Sequence, residues 1–80
     1  MNNEEIEQKL KVLYKEKNVN IVIYVKSTSV ADIYIDGFEY QLLDDEFFQL
    51  LSDNNNIHLL IDVPNFTDIS VNSKMIIIDY

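Results

Sequence analysis

The side chains in this chain equipped for proton transfer or cation binding near neutral pH are fourteen carboxylates and one histidine; there is no cysteine among the 80 residues. His58 and Asp62 share one face of an extended run, Ile57 to Val63, but four strand positions of about 3.3 Å each hold them roughly 13 Å apart. That is too far for a base and the acid that orients it. Asp44-Asp45-Glu46 lacks the alternating Asp-x-Asp-x-Asp-Gly order of a calcium loop. The single glycine, Gly37, cannot build a phosphate-cradling loop. Without cysteine, thiolate catalysis, disulfides and thiolate metal sites are excluded. No catalytic residue, metal or cofactor is expected.

What remains is binding chemistry, concentrated in ADIYIDGFEYQ at positions 31–41, where apolar and polar residues alternate around the glycine and every charge is negative. Asp36-Gly37 is a two-residue hairpin signal, because a type I′ turn needs positive φ at both central positions. A hairpin there pairs Ile35 with Phe38, Tyr34 with Glu39, Ile33 with Tyr40, Asp32 with Gln41 and Ala31 with Leu42. One face is then apolar, and the other carries Asp32, Tyr34, Glu39 and Gln41.

With Asp36 at the tip and Asp44, Asp45 and Glu46 beyond its end, the expected result is a continuous acidic ridge with Tyr34 as its aromatic anchor. Side chains two apart on a strand lie about 6.6 Å from each other, the order of the spacing between phosphates along a nucleic-acid strand. The expected partner-binding set is therefore Asp32, Tyr34, Asp36, Glu39, Asp44, Asp45 and Glu46.

Charge distribution points the same way. The formal net charge is −8, with six lysines and no arginine. Residues 1–26 hold four acids and five lysines, a net +1, whereas residues 27–80 hold ten acids and one lysine, a net −9. Direct binding to nucleic acid or to an anionic membrane needs a Lys/Arg footprint that the second part lacks. A basic protein partner fits, the competing reading being that acidity serves solubility alone. The acidic N-terminus and the absence of an apolar run near 18 residues make the cytosol the expected compartment.

The elements that must position these residues are read from periodicity. Asn2 caps a helix over residues 3–17 with the stripe Ile6, Leu10, Leu13 and Tyr14. Residues 21–25 form a β-branched strand, followed by the turn Lys26 to Ser29 and the hairpin. Asp44 opens a second helix ending at Ser52, with apolar spacing 47/50/51, and Asp53 to Asn56 stop it.

Residues 57–63 and 74–80 are strands, and 65–73 is either a loop or a short strand from Thr67 to Val71 turning through Asn72-Ser73. The expectation is one α+β domain over residues 1–80, ordered α-β-β-β-α-β-β, with two helices on one face of a mainly antiparallel sheet of four to five strands.

Architecture and acidity over residues 3–53 together resemble small phage-encoded inhibitors that mimic DNA, notably anti-CRISPR proteins. The resemblance implies a basic, nucleic-acid-binding target such as a CRISPR effector, occluded at its groove in the host cytoplasm. Two alternatives use other logic. One is an immunity or antitoxin protein that neutralises a basic toxin enzyme. The other is a structural or regulatory homodimer joined edge to edge through Met75 to Ile78.

Overall fold

A computed structural model describes residues 2–44 and 46–80. Helix α1, Asn3–Leu10, begins where Asn2 accepts the Glu5 backbone N–H at 2.9 Å, with Glu4 and Glu5 in its first turn and Lys9 in its last. Acids at the N-terminus and a base at the C-terminus suit the helix dipole. Ile6 and Leu10 are buried.

The helix expected to reach residue 17 instead tightens into a 3-10 turn, Lys11–Leu13. Lys15 then takes positive φ. The cause is tertiary: the Lys15 N–H donates to the Phe38 carbonyl, and the Phe38 N–H donates to the Glu16 carbonyl. A strand edge claims the backbone that helical continuation would have used.

Seven strands follow: β1 Val19–Val25, β2 Thr28–Ile35, β3 Phe38–Leu42, β4 Phe47–Ser52, β5 Ile57–Asp62, β6 Asp68–Asn72 and β7 Met75–Asp79. They form two sheets, a first ordered β2-β1-β7-β6 and a second ordered β3-β4-β5. All pairings are antiparallel except β1 with β7. The protein is mainly β, so α+β holds only broadly; the second helix, the strand count and the single sheet are corrected.

The expected hairpin does not form. Gly37 does turn the chain, at φ 78°, but β2 pairs with β1 and β3 pairs with β4, so Ile35 faces Val19 and Phe38 faces Ser52. The bend carries the chain from one sheet to the other. It is held by Ser52 Oγ donating to the Asp36 carbonyl and by the Phe38 bonds to Lys15 and Glu16. Alternation still sorts inside from outside correctly, because it belongs to each strand separately.

Asp44 to Ser52 is likewise no helix. Asp44 Oδ1 accepts the N–H groups of Glu46 at 2.7 Å and Phe47 at 3.0 Å, the same bonds an N-capping aspartate makes. Here they close the β3–β4 turn. Phe48, Leu50 and Ser52 then point inward at period two, and aromatic residues suit a pleated surface.

Residues 68–72 resolve as a strand turning through Ser73 and Lys74 into β7. Strand β7 lies between β1 and β6 with both edges paired, so edge-to-edge dimerisation through Met75 to Ile78 has no edge to use.

Both sheets bury their apolar faces in one core with α1. Ile21, Ile69, Ile76 and Ile78 come from the first sheet, Phe38, Phe48, Leu50 and Ile61 from the second, and Ile6 and Leu10 from the helix. Helix α1 packs on β6 and β3, one edge strand of each sheet. Each fully buried aliphatic or aromatic side chain contributes about 1.5–3 kcal/mol. That core fixes which residues face outward.

Candidate protein-docking surface

Because Val19, Ile21, Ile76, Ile78 and Ile69 point into the core, the residues between them form the outer face of the first sheet. Register arranges that face in rows. Tyr34, Asn20, Met75 and Asn72 make one row, and Asp32, Val22, Ile77 and Ser70 make the next. The third is Ser29, Tyr24, Asp79 and Asp68.

Tyr34 is 65% exposed and Met75 38%, while Val22 between its flanking strands is 8% exposed. Asn20 Oδ1 is shut off from solvent with no hydrogen-bond partner. Two aspartates, Asp68 and Asp79, stand directly opposite each other across β6 and β7, an arrangement that destabilises unless compensated. Lys9 reaches Asp68 at 3.9 Å and donates to the Ile69 carbonyl at 2.6 Å. Among the described residues Asp79 and Asp32 have no such cation.

The second sheet's outer face is chemically different. Glu39 is ion-paired with Lys15. Gln49 Nε2 donates to Gln41 Oε1 at 2.7 Å, and its Oε1 is bonded to His58 Nε2. These groups satisfy one another. The bond from Lys15 holds the Glu39 carboxyl below its ordinary range, and the bond from Glu39 raises the Lys15 ammonium. Burial foremost, then Glu7, raises the Tyr40 phenol.

The expected ridge is therefore divided. Asp32 and Tyr34 share the first sheet's outer face, while Glu39 lies on the second sheet's. Asp36 sits in the bend, its Oδ2 accepting from Asn54 at 3.4 Å and its Oδ1 enclosed without a partner. Asp44 spends an oxygen on the β3–β4 turn. Glu46 is exposed there, and Asp45 lies outside the described residues.

Residues that sequence reasoning did not place on this outer face are Met75, Ile77, Asp68 and Asp79. The alternation of residues 68–72 carried the signal for Asp68, but residues 75–78 are uniformly apolar and their parallel pairing with β1 does not show in the sequence.

Among the described residues no three His, Asp or Glu side chains gather as a metal-binding group. No described helix is long and apolar enough to cross a membrane. Comparison with protein-family models, curated proteins and solved structures returned no match.

Proposed function

We infer that this protein is a small acidic inhibitor that binds a basic protein and occludes its nucleic-acid-binding groove, in the manner of DNA-mimicking anti-CRISPR proteins. The observation that supports it most is the distribution of ion pairs. Lys9, Lys15 and Lys74 are engaged with Asp68, Glu39 and Glu16. Among the described residues Asp32, Asp36, Glu46, Asp53, Asp62 and Asp79 have no lysine partner. A surface with that many uncompensated carboxylates attracts a cationic groove at long range and raises the association rate.

The experiment is capture of the partner from a bacterial extract on the immobilised chain, followed by release with a short DNA duplex at constant ionic strength. Groove occlusion predicts that the duplex displaces the captured protein, because both compete for the same cations. A captured protein that binds the chain and the duplex simultaneously would overturn the reading.

A further inference from the structure

We propose that the partner docks on the outer face of the first sheet, and that its contact surface is an apolar projection ringed by lysine or arginine. The proposal rests on the acidic-inhibitor reading and says where and how the contact is made.

Two observations on one face carry it. The first is its layout, in which Tyr34, Met75 and Ile77 supply the accessible apolar groups on β2 and β7, with Val22 of β1 enclosed between those strands. Asp32 borders it on the β2 side, and Asp79 and Asp68 border it beyond Ile77. Apolar centre and charged rim are the anatomy of a protein-binding patch, with an exposed tyrosine as the usual anchor. The second is Asn20, whose Oδ1 lies unpartnered in the row between Tyr34 and Met75. A buried polar atom without a partner is destabilising, and a donor brought to this row by a docked partner would satisfy it.

Charge selects the occupant. A second copy related by a two-fold axis would bring the aspartates of this face against the same aspartates. Nucleic acid and anionic lipid are repelled for the same reason. A cationic rim complements Asp32 and Asp79, the two aspartates of this face without a lysine among the described residues. The second sheet's outer face is a weaker candidate, since Glu39 is already paired and Gln41, Gln49 and His58 bond one another.

The test uses two synthetic probes on the full chain, a peptide alternating lysine with leucine and a lysine-serine peptide of equal charge and length, each titrated into isotope-labelled protein by NMR. The lysine-leucine peptide should bind about tenfold tighter and shift the resonances of Tyr34, Val22, Asn20, Ile77 and Met75. Tyr34→Ser should remove that tenfold margin while the lysine-serine affinity and the melting temperature stay unchanged. Met75→Ser is the second variant should Tyr34→Ser alter the melt.

Shifts centred on Gln41, Gln49 and Leu60 instead, or a margin unaffected by both variants, would overturn the docking face while leaving the acidic-inhibitor reading standing. Failure of both peptides to bind at low salt would overturn both.

Discussion

Lys15 and Glu39 form an ion pair on the rim of the second sheet, and the backbone N–H of the same lysine donates to the carbonyl of Phe38, the neighbour of Glu39. One residue thereby closes the β3 edge and neutralises a carboxylate that would otherwise join the acidic surface.

The pair gives stability two pH limits of known sign. Glu39 is lowered in the fold, so its contribution is complete above the ordinary carboxylate range and disappears as pH falls through the folded value. Lys15 is raised, and Tyr40 is raised mainly by burial, so their contributions are complete below their ordinary values and disappear as pH climbs through the folded ones. Thermal melts across pH should show Glu39→Gln with a flatter acid limb than wild type. Superimposable acid limbs would remove the pair from the account.

Gly37 holds φ 78°, and an added Cβ would meet Asn54 Nδ2 at 3.1 Å. Gly37→Ala should destabilise by about 1–2 kcal/mol in urea unfolding, the cost of a left-handed alanine. Gly37→Asn should lose less, because asparagine tolerates that region.

Asp44 accepts two backbone N–H groups across the β3–β4 turn. Asp44→Ala should lose about 1 kcal/mol, as a lost capping group does, with the far-ultraviolet spectrum unchanged. Asp44→Asn should recover most of it, since its side-chain carbonyl can accept both bonds.

Phe48 is fully buried, its ring 5.8 Å from that of Phe66. Phe48→Ala removes about 3–5 kcal/mol, comparable with the whole stability of a small domain, about 5 kcal/mol at the low end. The variant should lose its dispersed NMR spectrum at room temperature.

How far the sequence reached depends on the range of each interaction. Asn2 and the Ile6/Leu10 spacing identified α1 because capping and helical periodicity are local. Alternation placed Asp32, Tyr34, Glu39 and Gln41 outside and Ile33, Ile35, Phe38 and Tyr40 inside or packed on the core, as found. It did not say which strands pair. Asp36-Gly37 bends the chain whether or not its flanks hydrogen-bond to each other, and here Val19 and Ser52 compete successfully for Ile35 and Phe38.

Asp44 misled for a related reason, since accepting the next two or three N–H groups opens a helix or closes a β turn equally well. The outer face of the first sheet depended on β1 meeting β7, residues more than fifty positions apart, and no local pattern encodes that.

The most direct measurement of the central claim is the association rate of the captured partner with wild type and with the double variant Asp32→Lys, Asp79→Lys over a salt series. Docking through this acidic face predicts a steep fall with salt for wild type, and for the variant a slow rate nearly independent of salt. Equal rates and equal salt slopes for the two proteins would contradict it.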